Sequence, residues 1–146
     1  MACSLELDEM SFANIKGHDI QIKSLVDSAR SNRLSSAYLF IGPSGIGKKT
    51  VALNFAKFLL CAQSNNSGSC DECVSCRKIE KLQHPDVFII SADALADEIN
   101  NTAIKIEDIR EAIKRVSLKP YEAKYKVFII DGAENMTPEA ANALLK

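Results

Sequence analysis

A glycine-rich run that ends in lysine has the residue types needed to bind phosphate groups. Its members are Gly42, Pro43, Ser44, Gly45, Ile46, Gly47 and Lys48. Glycines let the backbone curl so that several N–H groups point at phosphate oxygens, and the start of a following helix adds partial positive charge. Because the run stands between an apolar stretch and a helical pattern, we predict a nucleotide-binding P-loop whose Lys48 reaches the terminal phosphates. A plain glycine-rich turn is the alternative.

The residue that follows this lysine departs from the P-loop pattern. A P-loop continues with Ser or Thr, whose hydroxyl binds Mg²⁺, but this sequence has Lys49. Thr50 comes one residue late, about 100° further around the helix, and is expected to face away from the metal. A cation at a Mg²⁺-ligand position argues against ATP hydrolysis, although Lys49 could itself contact a phosphate. Binding of ATP with Mg²⁺ therefore stays open.

A second motif, at residues 126–131, is an apolar run that ends in an acid. Its sequence KVFIID resembles a Walker B strand, in which the final Asp, here Asp131, holds the Mg²⁺ shell. In ATPases of this type the next residue is usually a Glu that orients the attacking water. Gly132 has no side chain for that task, and Glu134 would project elsewhere. Unless Asp131 merely ends a strand, the losses at Lys49 and Gly132 together favour a member of the class that does not hydrolyse ATP.

Four of the five cysteines have the spacing of a metal site. Cys61, Cys70, Cys73 and Cys76 follow the pattern C-x8-C-x2-C-x2-C. Four thiolates so close together suit a closed, tetrahedral, structural Zn²⁺ site without a catalytic role. The metal would also hold polar sequence that cannot build its own core. We predict an inserted zinc module over residues 61–80; a redox C-x-x-C pair and unliganded core cysteines are the alternatives.

The histidines and the fifth cysteine have weaker predicted roles. His18, beside Gly17, is expected to be structural or to lie near an adenine pocket. His84 is interpreted as a loop residue before Pro85, with metal ligation as a minor alternative. Cys3 receives no role.

Length and composition set the broad class. The chain has 146 residues, of which 47% are hydrophobic and 25% charged, so it can form one domain with a core. Its net charge of −1 argues against a strongly basic protein that coats nucleic acid. No apolar run approaches the roughly 20 residues of a membrane span, and the acidic N-terminus does not resemble a signal peptide. We predict a cytoplasmic protein, where thiols stay reduced and clustered cysteines bind metal.

Apolar periodicity places these motifs on helices and strands. Apolar patterns predict three helices, at residues 19–30, at 48–60 and around 106–116. The sequence Thr-Pro-Glu at residues 137–139 predicts the start of a fourth helix, with Thr137 as its cap. Short apolar runs predict three buried strands, at residues 37–41, 87–90 and 127–130. Residues 63–69 and 92–102 are the least ordered in pattern. The alternation of strand and helix predicts an α/β fold with a parallel sheet flanked by helices.

Taken together, these motifs resemble the bacterial clamp-loader subunits of the AAA+ class, which are P-loop NTPases. Besides the P-loop and the cysteine module, the resemblance is carried by Phe12-x-x-Ile15-x-Gly17-His18, His84-Pro85-Asp86, the Ile104–Arg110 segment and residues 126–146. It covers nearly everything from Phe12 onward.

The resemblance implies a role in the DNA polymerase III holoenzyme, loading the sliding clamp on primed DNA. The implied partners are the gamma/tau and delta subunits, the sliding clamp and primer–template DNA. Two subunit types share the zinc module: the ATP-hydrolysing gamma/tau motor and the delta-prime stator, whose motifs are decayed. Lys49, Gly132 and the His-Pro-Asp segment fit delta-prime better. The gamma/tau motor is the first alternative, and a small-molecule P-loop kinase with a zinc-held lid is the second.

The resemblance also implies an AAA+ sheet with strand order 5-1-4-3-2. Only strands 1, 2 and 3 are found in the sequence. We therefore expect residues 1–146 to be the N-terminal part of one AAA+ domain, with strands 4 and 5, the lid and the collar lying outside them. Strands 1 and 3 are then expected to have no strand between them.

Overall fold

The computed structural model describes residue 12 and residues 15–65, 68–91 and 103–145. The chain divides into two compact units, Met1–His84 and Pro85–Lys146. Cys3 and residues 92–102, for which sequence patterns suggested little, lie outside the described residues. None of the described helices is long and apolar enough to cross a membrane.

The first unit is built on three helices. They are α1 (Asp19–Arg30), α2 (Lys48–Leu60) and α3 (Val74–Glu80). The bounds of α1 and α2 confirm the helices predicted from apolar periodicity. In α1, Asp19 lies in the first turn and Arg30 in the last, which complements the helix dipole. The short helix α3, within the cysteine module, was not predicted.

The core of this unit lies between α1 and α2. Its buried side chains are Phe12, Leu25, Val26, Val51, Phe55 and Phe58. The rings of Phe12 and Phe58 lie 6.2 Å apart, within the range of aromatic contact. The core therefore holds α2 through the face that carries Val51, Phe55 and Phe58.

The predicted strand at residues 37–41 is wrong. These residues belong to no strand or bridge, and no described residue forms a hydrogen-bonded ladder with them. The run is also not buried: Tyr38 packs edge-on against Phe55, with ring centroids 5.6 Å apart, but is 40% exposed, and Leu39 and Ile41 are 75% and 87% exposed. Apolar composition alone does not make a strand, because a strand also needs a partner for its backbone groups.

The second unit contains a small parallel sheet and two helices. Its elements are β1 (Val87–Ser91), α4 (Ile106–Val116), β2 (Val127–Asp131), a 3-10 helix (Ala133–Asn135) and α5 (Pro138–Leu144). The strands pair in parallel from Val87↔Val127 to Ser91↔Asp131. Phe88 and Phe128, which are register partners, stack with their centroids 4.8 Å apart. This pairing confirms the second and third predicted strands, and α4 confirms the amphipathic helix between them.

The core of the second unit is centred on Ile104, Ile109 and Ala140, which are fully buried. The backbone of Ile104 also holds the segment after β2 in place. Its N–H donates to the carbonyl of Asn135 and its carbonyl accepts from the N–H of Thr137, both at 3.0 Å. The Thr137 hydroxyl oxygen accepts from the N–H of Ala140 at 3.2 Å. Thr137 is thus the N-cap of α5, as the sequence predicts.

A buried carboxylate fixes the loop that leads into β2. Asp86 is 0% exposed, and its carboxylate accepts from the backbone N–H groups of Tyr121, Glu122 and Ala123 at 2.6, 2.8 and 2.9 Å. The carbonyl of Asp86 accepts from Val127 at 2.9 Å. One residue thereby sets both the loop and the start of the strand that ends in Asp131.

Candidate metal centre

The four predicted cysteine ligands lie together. Their sulfur atoms are all within 4.8 Å of one another, and all four are free thiols. The Sγ atom of Cys61 is 3.5 Å from that of Cys70 and 4.0 Å from that of Cys73. A regular tetrahedron of sulfurs about 2.3 Å from a zinc ion has edges of about 3.8 Å. The cluster therefore fits a single metal ion with four thiolate ligands.

Backbone N–H groups point at these sulfurs. Within each C-x2-C repeat, the later cysteine donates its N–H to the earlier sulfur: Cys73 to Cys70 at 3.3 Å, and Cys76 to Cys73 at 3.5 Å. The N–H groups of Gln63 and Cys70 both lie 3.4 Å from the sulfur of Cys61. Such donors stabilise thiolate charge, which is the form that binds metal.

Two helix ends and one strained turn position the ligands. Cys61 is the C-cap of α2, and Cys73 is the N-cap of α3. Between Cys70 and Cys73, Asp71 adopts a φ of 56°, in the left-handed region that most side chains avoid. The turn brings the sulfur of Cys70 to the N–H of Cys73. The x2 spacing recognised in the sequence is thus realised by a turn followed by the start of a helix.

Burial and hydrogen bonding shift the pKa values of the thiols in opposite directions. Burial raises the pKa of Cys76, and contacts with Cys73 and Cys61 raise it further. Burial likewise raises the pKa of Cys61. Burial acts to raise the pKa of Cys73 too, but hydrogen bonds from the backbone and side chain of Cys76 outweigh it and lower the pKa to about 7. The cluster therefore contains one readily ionised thiol beside two that hold their protons.

His84 lies outside this cluster. It is buried, and the group of potential ligands among the described residues consists of the four cysteines alone. His84 belongs to no helix or strand, which agrees with its interpretation as a loop residue before Pro85.

The predicted P-loop leads into α2 and shows the backbone expected of its glycines. Gly45 and Gly47 have φ values of 76° and 97°, and Gly47 is the N-cap of α2. The ammonium group of Lys48 contacts the carbonyl oxygens of Gly42 and Pro43. Nε2 of His18 donates to the carbonyl of Ile46 at 2.8 Å. His18 therefore contacts the loop itself, which the sequence did not indicate.

Two positions lack the side chain that is usual in ATPases of this type, and they have different backbone conformations: one is helical, at Lys49, and the other is left-handed, at Gly132. Lys49 and Thr50 are exposed in the first turn of α2. Asp131, in the second unit, ends β2, and Gly132 follows it with φ 79° and ψ 42° before the 3-10 helix begins. Glu134 is exposed within that 3-10 helix. The left-handed backbone thus favours a glycine after the acid.

Several contacts around the metal centre were missed by the sequence patterns. Lys57 pairs with Asp71 at 3.2 Å, Ser69 donates to the same carboxylate, and Arg30 donates to the carbonyl of Asn65 at 2.9 Å. The contacts of Lys57 and Arg30 join residues that are 14 and 35 positions apart in the chain, so no local pattern reports them. The one available signal was Asp71, an Asp between two ligands, since Asp tolerates the left-handed region better than most residues.

Comparison with known proteins identifies the family. Residues 17–146 match the sequence model of the family described as DNA polymerase III, delta subunit. The chain belongs to this clamp-loader family. Its membership confirms the resemblance seen in the motifs and leaves no support for the small-molecule kinase alternative.

Relatives of this clamp-loader chain include both subunit types. It is 35% identical to subunit tau/gamma of Haemophilus influenzae over 93% of its own length and 19% of the relative's. It is 35% identical to subunit delta' of Bacillus subtilis over 86% of its length and 36% of the relative's. With subunit tau of B. subtilis it shares 36% identity over 92% of its length and 23% of the relative's. The chain thus spans about a fifth to a third of the length of these relatives, and identity alone does not separate the two types.

Proposed function

We propose that this clamp-loader chain belongs to a non-hydrolysing subunit of the delta-prime type. Such a subunit would act as a stator that helps to load the sliding clamp on primed DNA. The proposal is carried by the backbone at Gly132, immediately after Asp131, where ATP-hydrolysing relatives of this class place a Glu.

The left-handed backbone at Gly132 indicates that the missing Glu is more than the loss of one side chain. With φ at 79°, a Glu there is strained by about 1–2 kcal/mol. The 3-10 helix that follows makes the turn part of the local structure, since Asn135 donates to the carbonyl of Gly132 at 2.8 Å. A glutamate that orients water is therefore absent from the sequence and disfavoured by the backbone at this position.

The P-loop supports nucleotide binding better than hydrolysis. Lys48 and the left-handed glycines are those expected of a phosphate cradle, but Lys49 occupies the Mg²⁺-ligand position. The hydroxyl of Thr50 lies one residue too late on α2 to replace it. The loop residues proposed to contact a nucleotide are Gly42, Pro43, Ser44, Gly45, Ile46, Gly47, Lys48, Lys49 and Thr50.

The proposed metal is a structural Zn²⁺ held by Cys61, Cys70, Cys73 and Cys76. Four thiolates favour zinc over the hard cations, and a closed set of four ligands leaves no position for catalysis. When bound, the ion would supply folding free energy to a module with little core of its own. Ser69, Cys76 and Ile79 are buried around the cluster, but they are too few to form a hydrophobic core.

The remaining proposals follow from the family. We propose that the chain is the first part of one AAA+ domain, with the zinc module inserted at residues 61–80. Its partners would be the gamma/tau and delta subunits, the sliding clamp and, through the assembly, primer–template DNA. The cytoplasm is the proposed location.

A gamma/tau-like motor is the second candidate, supported by the tau and tau/gamma relatives at 35–36% identity over 92–93% of the chain. Mg²⁺-dependent ATP turnover decides between the two. The protein that contains this chain is purified and assayed alone, then with its gamma/tau and delta partners. A stator shows no turnover of its own, and Lys48→Ala leaves the turnover of the assembly unchanged. Turnover by the isolated protein that disappears in Lys48→Ala would instead establish the motor.

A further inference from the structure

Helix α2 joins the P-loop to the metal centre. It begins directly after Gly47 and ends at Leu60, and its C-cap is Cys61, the first of the four cysteines of the cluster. Lys57 lies four residues before Cys61, and residues so spaced share one face of a helix. The same helix therefore carries a metal ligand and a cation on neighbouring positions of one face.

Lys57 contacts the turn that carries the next two ligands. Its ammonium group lies 3.2 Å from Oδ1 of Asp71, and the hydroxyl of Ser69 donates to the same oxygen at 2.9 Å. The side chains of Lys57 and Asp71 retain 13% and 29% of their exposure, and Ser69 is fully buried. Ion pairs at the surface contribute little to stability. A largely buried pair holds its two side chains together, because separating them would leave a desolvated charge without its partner.

The contact matters because Asp71 forms the left-handed turn between two of the ligands. Its φ of 56° places it in the left-handed region, between Cys70 and Cys73. Glu72 closes the turn by donating to the carbonyl of Cys70 at 2.8 Å. If Asp71 relaxed to an ordinary conformation, the N–H of Cys73 would leave the sulfur of Cys70, and the two ligands would diverge.

We propose that Lys57 is a positioning residue of the metal centre. It holds the carboxylate of Asp71 and thereby the turn that presents Cys70 and Cys73 to the metal. The inference rests on the metal-binding part of the proposed function and goes beyond it, because it couples the centre to the P-loop helix. Groups that hold metal ligands from outside typically change metal affinity by about 10–100-fold.

Coupling of this kind is reciprocal. If α2 helps to hold the metal, then bound metal must steady the last turns of α2 by the same free energy. Removal of zinc is therefore expected to accelerate amide exchange at Lys57–Leu60 and to leave the exchange of α4 unchanged.

The test measures zinc affinity of the 146-residue chain by competition with a chromophoric chelator. Lys57→Met, Asp71→Asn and the double variant are compared with the unaltered chain. Both single variants are expected to bind zinc about 10–100-fold more weakly, and the double variant no more weakly than the weaker single one, because the two residues act through one contact. Lys57→Arg, which keeps the cation, is expected to retain most of the affinity.

A matched control removes an exposed ion pair. Glu111→Gln breaks the pair with Arg115, which is 2.9 Å long and about half exposed on both sides. It is expected to leave zinc affinity unchanged. The Co²⁺ charge-transfer spectrum provides the second measurement: it is expected to keep its four-thiolate form in Lys57→Met, which shows that the ligands are intact and only their positioning has changed.

Three results would overturn the inference. Lys57→Met could bind zinc as tightly as the unaltered chain, or the losses of the two single variants could simply add. Either result contradicts a positioning role while leaving zinc binding established. An unaltered chain that binds no zinc would overturn the proposed metal centre, and this inference with it.

Discussion

The ammonium group of Lys48 lies 2.6 Å from the carbonyl oxygen of Gly42 and folds back onto the loop that would cradle a phosphate. A second carbonyl, that of Pro43, lies 2.9 Å from the same nitrogen. These carbonyls offer partial charge only, whereas a phosphate offers full charge, so a bound nucleotide would draw the ammonium group away from them. The ammonium group of Lys48 is thus held by carbonyl oxygens of the loop itself.

Nucleotide affinity is expected to depend on this cation. We predict that Lys48→Ala weakens binding of a non-hydrolysable ATP analogue at least about tenfold, since a hydrogen bond to a charged group contributes about 1.5–3 kcal/mol. Isothermal titration calorimetry of the 146-residue chain measures the change. Lys114→Ala, on the exposed face of α4, serves as the control and is expected to have no effect. Equal affinities for the unaltered chain and Lys48→Ala would show that the loop does not bind nucleotide.

Asp86 is expected to be a main determinant of stability in the second unit. Asp86→Ala removes the buried carboxylate that accepts three backbone N–H groups, and a hydrogen bond to a charged group contributes about 1.5–3 kcal/mol. Urea denaturation should therefore show a loss of about 3 kcal/mol or more in the free energy of unfolding. The control is Asp108→Ala, which removes an acceptor for the single N–H of Lys105 at an exposed helix start and should cost about 1 kcal/mol. Similar losses in the two variants would contradict this role for Asp86.

Metal affinity should rise with pH. Burial raises the pKa of Cys61 and of Cys76, so these thiols are protonated at pH 7 when no metal is bound. Zinc binds thiolates and must displace those protons. Calorimetry in two buffers of different ionisation enthalpy is expected to count at least two protons released per zinc at pH 7, and zinc should be lost on acidification. Equal zinc affinity at pH 6 and pH 8 would refute the expected proton release.

The glycine after Asp131 is expected to be required for stability. Gly132→Ala should lower the free energy of unfolding by about 1–2 kcal/mol because φ is 79°. Gly132→Asn should cost less, since Asn tolerates this region. Gly42→Ala is the control: a Cβ atom there meets only the side chain of Ile46, at an ordinary 3.5 Å. Thermal denaturation of the three variants provides the comparison, and a fully stable Gly132→Ala would argue against backbone strain as the reason for glycine.

Elements governed by local pattern could be predicted from the sequence. The apolar face of α1 and the capping Thr137 of α5 each depend on residues that are close together in the sequence, and the structure has both helices where they were expected. The four cysteines were predictable as a cluster because their short spacing leaves the chain few ways to separate them. The parallel direction of β1 and β2 followed from the alternation of strands and helices, and their adjacency followed from the strand order that the resemblance implies.

Features that depend on distant partners could not be predicted. The apolar run at residues 37–41 looks like a strand, but a strand exists only where another strand pairs with it. Helix α3 has only seven residues, too few to show an apolar period in the sequence, and Cys73 and Cys76 at and near its start belong to the cysteine cluster. The contact between Lys57 and Asp71 spans 14 residues and requires a left-handed turn, which composition does not report. The carboxylate of Asp86 meets the amide groups of the loop at residues 121–123 only in the folded unit.

Metal analysis of the purified chain tests the central claim most directly. The four sulfur atoms within 4.8 Å of one another are expected to hold one zinc ion. Plasma mass spectrometry of protein purified without chelators should find one zinc per chain, and Cys76→Ser should lose it. Protein that contains no zinc under those conditions, or whose four cysteines are found as disulfides, would contradict the account.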